Sequence, residues 1–340
     1  MPNELQLLKR ITPEVTFILK RRYDMLNTIQ SFQPIGRRLL ALKIAVSERI
    51  TRRELSLLQK EGFVLIGAEG VSLTLEGAEF LNDIQPLLRE ILGLNRLGEE
   101  LARRYGLSKA LVVPGDSGED EKVLRDIARA AALVLKERIK GNSVIAVMGG
   151  STLAALTEMF TGMSFPEVTV VPARGGLGER VEIQANTIAA KLATNIGGRY
   201  RLLHIPENLD PIALKALLAD RRIQEVINTI KKADILVYSV GRADVMARRR
   251  GLSFEDMEKL LEKGAVAETL GNYLSDRGEV VERAPGIGLE FNDMSRLALT
   301  LMVAGGRHKA EALAAALKGN NARILVTDEG AAREILADLI

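Results

Sequence analysis

In VIAVMGGSTLAALTEMF, residues 144–160, a β-branched apolar run passes through Gly149 and Gly150 and two hydroxyls, Ser151 and Thr152, into a helical pattern. Glycine just past a strand permits positive φ and close approach of a ligand to the backbone. A helix start adds free amides and the positive end of the helix dipole, which together attract an anion. No GxxxxGK[ST] motif is present, so this is phosphate chemistry without a Walker A loop. Cations stand in comparable glycine-rich stretches: Arg174 in PARGGLGE, Arg249 and Arg250 in MARRRG, and Lys309 in AGGRHKAEAL. Four cations and one amide-rich loop exceed the need of a single monophosphate. Two phosphate groups, or one phosphate with other polar groups, would use them better. Taken singly, Arg248 to Arg250 could equally form a solvated helix end, and Lys309 could complement a local carboxylate. Gln184 in VEIQANT and Glu268 in AVAETLG could bond sugar hydroxyls, although nothing sets them apart from other polar helix residues. His308 reads as a loop or surface histidine.

The elements that must position these residues alternate from about residue 95 onward. The strands are drawn at ALVVPG, SVIAVMGG, EVTVVPARGG, YRLLHIP, DILVYSVG, LTLMVAGG and RILVTDEG, separated by helical patterns. Such alternation marks a mostly parallel sheet with crossover helices. Runs finish in glycine at Gly149-Gly150, Gly175-Gly176, Gly241, Gly305-Gly306 and Gly330. Ligands of open α/β sheets bind beyond the carboxyl ends of the strands, so these glycines map one sheet edge as a binding face.

The other end of the chain has a different charge. Residues 1–60 carry 12 Lys/Arg against five Asp/Glu, whereas the whole chain has a net charge of only +3. A helical period runs from Val15 to Ser31, and a second short helix is expected to start at Pro34. A third helix has Ser47 as N-cap, turns Ile50, Leu55 and Leu58 inward, and ends at Gly62. Its outer face is left with Glu48, Arg49, Thr51, Arg52, Arg53 and Ser56. FVLIGAEGVSLTLEG then reads as a β-hairpin. Helix, short helix, basic helix and hairpin is the order of a winged helix-turn-helix, whose basic helix enters the major groove of double-stranded operator DNA. Arg49, Thr51 and Arg52 are the candidates for base edges, and Arg37, Arg38 and Arg53 for phosphates, with Ser47 at the helix start. Residues 76–105 continue as helix with a break near Pro86 and a weak point near Gly93. Their stripe of Leu81, Ile84, Leu87, Leu88, Ile91, Leu94 and Leu97 should pack on a two-fold partner or on the C-terminal domain.

The domains are therefore expected at 1–75 (DNA binding), 76–105 (linker, with a possible dimerisation role) and 106–340 (ligand binding). With 340 residues, more than one core is expected. The composition is 47% hydrophobic with 4% aromatics and no tryptophan, which suits aliphatic helix-on-sheet packing. The absence of cysteine excludes disulfides, thiolate metal sites and a cysteine nucleophile. With only His204 and His308, a structural zinc site is not expected either. MPNELQLLKRITPEV lacks a signal-peptide apolar core, and no stretch approaches about 18 apolar residues, so a soluble, cytoplasmic protein is expected.

SERITRREL inside a winged helix-turn-helix, followed by VMGGSTLA, VPARGGLGE, QANTIA, AGGRHKAEAL and LVTDEGAA, resembles the SorC/DeoR type of bacterial sugar-responsive repressor. The resemblance covers essentially the whole chain, including PIGRR. It implies a Rossmann-like effector domain similar to phosphosugar isomerases and deaminases, used to sense a glycolytic phosphosugar. Fructose 1,6-bisphosphate is the expected inducer, with no catalytic cofactor, and glycolytic genes are the expected targets of a homodimer or homotetramer. It also implies an effector set of Gly149, Gly150, Ser151, Thr152, Arg174, Gln184, Arg249, Arg250, Glu268 and Lys309. Ser151 stands where the family pattern has threonine and keeps the hydroxyl; ARRRG leaves the register of the arginines open by one residue. The competing reading is a phosphosugar isomerase or deaminase fused to a DNA-binding domain. That chemistry needs a positioned base, for which Asp328, Glu329, Glu268 and His308 are the candidates. A third is a nucleic-acid-binding protein whose sugar domain is degenerate.

Overall fold

The computed structural model describes residues 11–160, 164–176, 180–205, 211–319 and 322–337. The N-terminal ten residues, residues 177–179 of PARGGLGE and Pro206 of YRLLHIP lie outside the described residues. The chain divides into two compact units, Met1–Arg96 and Leu97–Ile340.

The first unit contains α1 (Pro13–Phe32), α2 (Arg37–Lys43), α3 (Glu48–Lys60), the antiparallel pair β1 (Val64–Ile66) and β2 (Val71–Leu73), and α4 (Leu75–Ile91). Met25, Leu26 and Ile29 of α1 meet Leu40, Leu55 and Leu58 in one apolar core. Ser47 caps α3 by accepting from the Ile50 amide at 3.3 Å. Pro34 does not open the second helix. Ile35 exchanges backbone hydrogen bonds with Val71 at 3.0 and 2.9 Å, so this stretch is spent extending the wing sheet and α2 starts at Arg37. Pro86 does not break α4 either. It is exposed, while Leu81 and Leu88 on either side are buried in the core with α1, which outweighs one missing helical bond. Part of the stripe thus packs within its own unit, and the break falls at Gly93, before α5 (Leu94–Tyr105).

In the second unit β3 (Lys109–Val113) leads to α6 (Glu121–Arg138), β4 (Val144–Val147) to α7 (Ser151–Thr157) and β5 (Thr169–Pro172) to α8 (Ala185–Asn195). The short β6 (Arg199–Tyr200) precedes α9 (Pro211–Ala219) and α10 (Arg221–Lys231). After β7 (Ile235–Tyr238) come β8 (Gly241–Arg242), α11 (Ala243–Arg249), α12 (Phe254–Glu262), β9 (Ala265–Thr269), β10 (Asn272–Ser275) and β11 (Val280–Arg283). The chain returns through β12 (Leu299–Val303), α13 (Ala310–Gly319), β13 (Ile324–Asp328) and α14 (Glu329–Ala337).

Seven of these strands form one parallel sheet in the order β3-β13-β12-β7-β4-β5-β6. ILVY of β7 and LTLMV of β12 are buried throughout, as strands covered on both faces must be. From β4 the chain winds outward through β5 and β6, and from β7 the opposite way through β12 and β13, so the order reverses between β4 and β7. Loops leaving two such strands diverge and open a crevice at their carboxyl ends. A four-stranded antiparallel sheet, β11-β10-β9-β8, was absent from the sequence reading, and it places Glu268 in a strand rather than a helix. The pattern AVAET suits either period.

Candidate functional site

Gly149 and Gly150 lie at the reversal point, between the end of β4 and α7. A Cβ at Gly149 would stand 2.8 Å from the Ile183 carbonyl oxygen, so only glycine lets the loop pass there. Gly150 has φ +131°, and its amide donates to Ile183 at 2.9 Å. Ser151 is exposed and Thr152 buried at the first turn of α7, where amides have no intrahelical acceptor. Gln184 caps α8 from the neighbouring segment, with Oε1 close to Gly176.

On the other side of the crevice, Lys309 ends a short 3₁₀ turn after β12, and Arg249 is exposed at the end of α11. Burial pushes the Lys309 ammonium below its ordinary value, the charge of Arg249 adds to this, and Asp328 opposes it. A largely buried ammonium that also feels a second cation is relieved by an anion. His308 is exposed, as expected; partial burial and Lys309 push its imidazole down, while Asp116 and Asp328 oppose and Arg242 reinforces. Arg242, which sequence reasoning missed, is thus a further cation on this side, held by Asp244 at 3.1 and 3.0 Å.

Burial separates Arg250 from the other arginines of ARRRG, since Arg248 and Arg249 are both exposed. Arg250 donates to Glu268 at 2.9 Å in an ion pair with side chains only 4% and 3% exposed, whereas Arg249 faces outward. Glu268 also accepts from the Gly271 amide at 2.7 Å, fixing the β9–β10 turn. Arg174 grips the same turn: its buried guanidinium donates to the carbonyls of Leu270 at 3.0 Å and of Ala284 and Pro285 at 3.3 Å. Arg174, Arg250 and Glu268 are therefore brought together as a scaffold, whereas Gly149–Thr152 follow β4, Lys309 follows β12 and Arg249 ends α11.

Three of the four candidate bases are occupied structurally. Asp328 is fully buried and accepts four hydrogen bonds, from Ser117 N and Oγ, Gly306 N and Ala331 N. Glu268 serves Arg250 and Gly271, and Glu329 binds Arg333 at 2.8 Å and accepts from the Gly115 amide.

In the first unit Arg37, Arg38, Ser47, Arg49, Arg52 and Arg53 are exposed along α2 and α3. Thr51 is a correction: it is fully buried, its hydroxyl donating to the Ser47 carbonyl at 3.2 Å, so it cannot reach a base edge from this position. Thr51 stands four and seven residues before buried Leu55 and Leu58, a spacing that puts it on their inner face. Buried Glu54 accepts from Arg21 at 2.6 Å, Arg22 at 2.7 Å and Arg53 at 3.1 Å, tying α3 to α1. The sequence reading gave no role to Glu54.

Against models of known families, residues 18–88 match the CggR N-terminal DNA binding domain and residues 89–337 match the Sugar-bind model of sugar-binding domains. The chain belongs to the SorC family of sugar-binding transcriptional regulators. The central glycolytic genes regulator of Bacillus subtilis is 39% identical over 99% of this chain and 100% of its own length. The protein of the same name from Priestia megaterium is 38% identical over 99% of both. A SorC family regulator from Enterococcus faecalis shares 39% identity and a TM-score of 0.67, covering 71% of this chain and 99% of that one. Full-length SorC from Klebsiella pneumoniae, 18% identical with a TM-score of 0.67 over 89% of this chain and 94% of its own, shows the same fold. This SorC-family chain therefore joins an N-terminal DNA-binding domain to a C-terminal sugar-binding domain, and the relatives are named as regulators, not enzymes. Among the described residues no helix is long and apolar enough to cross a membrane.

Proposed function

We propose that this regulator represses central glycolytic genes and is released or remodelled by fructose 1,6-bisphosphate or a closely related glycolytic phosphosugar. The observation that supports the reading is the Gly149–Thr152 loop at the sheet's reversal point, with Lys309 following the nearby strand β12 and its ammonium held below the ordinary value by burial and by the charge of Arg249. One phosphate sits on the amides and hydroxyls of Ser151 and Thr152 beside Gly149 and Gly150, and a second on Lys309 and Arg249. Arg174, Gln184, Arg250 and Glu268 shape the sugar side, and the exposed arginines of α2 and α3 hold operator DNA. The regulator works as a homodimer or homotetramer on paired half-sites. The names of the Bacillus subtilis and Priestia megaterium relatives support the glycolytic target.

The experiment is a mobility shift with operator DNA at fixed salt, titrated with fructose 1,6-bisphosphate, fructose 6-phosphate, glucosamine 6-phosphate and inorganic phosphate. The bisphosphate should release or remodel the complex at the lowest concentration. A complex indifferent to all of them would overturn the sensor reading. The enzyme alternative is disfavoured because Asp328, Glu268 and Glu329 are committed to hydrogen bonds of the fold. Rapid turnover of fructose 6-phosphate or glucosamine 6-phosphate by pure protein would restore it.

A further inference from the structure

Asp328 closes β13, and β13 lies between β3 and β12 in the sheet. In the register Val113 faces Asp328 and Val303 faces Val326, so the carboxylate stands level with the end of β3 and two residues beyond the end of β12. Its Oδ2 accepts from Ser117 N at 2.8 Å, Ser117 Oγ at 2.6 Å and Gly306 N at 2.7 Å, while Oδ1 accepts from Ala331 N at 2.8 Å at the start of α14. A Cβ at Gly305 would stand 2.4 Å from that Oδ2, so the loop after β12 is shaped around the carboxylate. A second carboxylate repeats the tie: Asp116 Oδ1 accepts from the amides of Gly118 at 2.8 Å and Arg307 at 3.1 Å. Gly306 is three residues before Lys309, whose own amide donates back to the Gly306 carbonyl at 2.9 Å.

We propose that Asp328 is the positioning residue of the effector site, acting through the Gly306–Lys309 turn to hold the Lys309 ammonium where a phosphate of the sugar ligand binds. The proposal rests on the functional reading above, in which Lys309 meets phosphate. Asp328 itself does not touch the ligand. It is fully buried and engaged by four donors, three on Oδ2 and one on Oδ1, which makes it a rigid anchor rather than a base. The same anchor joins the phosphate loop to the loop after β3, the strand by which the chain enters the sugar-binding unit from α5. Occupancy of the site and the placement of β3 thereby share one set of hydrogen bonds.

Asparagine at this position has the carboxylate's shape but only one acceptor oxygen, so it cannot serve both Oδ sets. The test is a double-mutant cycle in full-length protein, with fructose 1,6-bisphosphate binding read by calorimetry. Asp328→Asn should weaken binding about tenfold, the scale of one charge-assisted hydrogen bond. The Asp328→Asn, Lys309→Ala double variant should bind no more weakly than Lys309→Ala alone. Combined with Thr152→Ala, on a different loop, the effects should add, whereas a general loss of structure would couple equally to both. Operator affinity without sugar should stay at the wild-type value. Should Asp328→Asn fail to fold, Ser117→Ala replaces it, with a smaller effect and the same pattern of coupling. Wild-type binding with additive effects of Asp328→Asn and Lys309→Ala, or none from Asp328→Asn, overturns this proposal alone. Absence of wild-type binding to any sugar phosphate overturns it together with the functional reading.

Discussion

Adjacent arginines of one type can do opposite jobs, and burial decides which does what. Arg250 is buried on Glu268 at 2.9 Å, and removing one member of such a pair strands the other charge away from water. Arg250→Ala should therefore destabilise the protein by about 3–5 kcal/mol, seen as a lower thermal midpoint. Arg249 is exposed, and Arg249→Ala should leave the midpoint almost unchanged while raising the sugar concentration needed to release operator DNA. Equal midpoints for the two variants would show that the pair assignment is wrong. Lys309 carries a related expectation. Burial and then Arg249 hold its ammonium below the ordinary value, so the unfolded chain binds that proton more tightly than the folded one. At neutral pH the cost is fully present, and it is relieved only as pH rises through the folded value. Lys309→Met should therefore raise the midpoint of the sugar-free protein at pH 7 while weakening its response to phosphosugar, the usual exchange of stability for function.

At the scale of elements, one carboxylate, Glu54, ties α3 to α1 beside the apolar core they share. Burial would raise the Glu54 carboxyl, but the hydrogen bonds from Arg22 and Arg53 and the charges of Arg22 and Arg21 more than offset this and hold it below its ordinary value. A depressed carboxyl stabilises the fold above the unfolded value and loses that contribution as pH falls through the folded one. Glu54→Gln should thus lower the urea midpoint at pH 7, and the gap to wild type should narrow as pH falls below about 4. A gap independent of pH would mean that packing, not charge, ties these helices. How far such elements can be read from sequence follows from the same physics. The parallel strands were legible because doubly covered strands are unbroken apolar runs, and glycines marked their functional ends. The sheet β8–β11 was not, because β8 has two residues and AVAET fits either period. Thr51 was misplaced because it is polar among exposed Glu48, Arg49, Arg52 and Arg53, although its spacing from Leu55 and Leu58 turns it inward. The Asp328 tie was invisible because its Ser117 partner lies 211 residues away, a distance that local pattern does not bridge.

At the scale of the whole molecule the two charge distributions serve different ligands, and linkage relates them. A sugar can weaken operator binding only by its differential affinity for the DNA-bound and free forms, and DNA must weaken sugar binding by the same factor. The basic end, with 12 Lys/Arg against five Asp/Glu in residues 1–60, supplies the salt-dependent part of DNA affinity. Each phosphate neutralised by a cation releases counterions, so log affinity falls with log salt at a slope near −0.9 per contact. Arg37 is exposed at the start of α2 and, as a phosphate contact, should act through this contribution. Arg37→Ala should reduce the magnitude of the salt slope by about 0.9, weaken binding uniformly across operator variants and leave calorimetric affinity for fructose 1,6-bisphosphate unchanged. Arg52→Ala, on the free face of α3, should change which operator variants are preferred, since a base contact carries sequence information and a phosphate contact does not. If Arg37→Ala altered sequence preference while Arg52→Ala altered only the slope, the roles of α2 and α3 would be exchanged and the helix in the major groove would have to be reassigned.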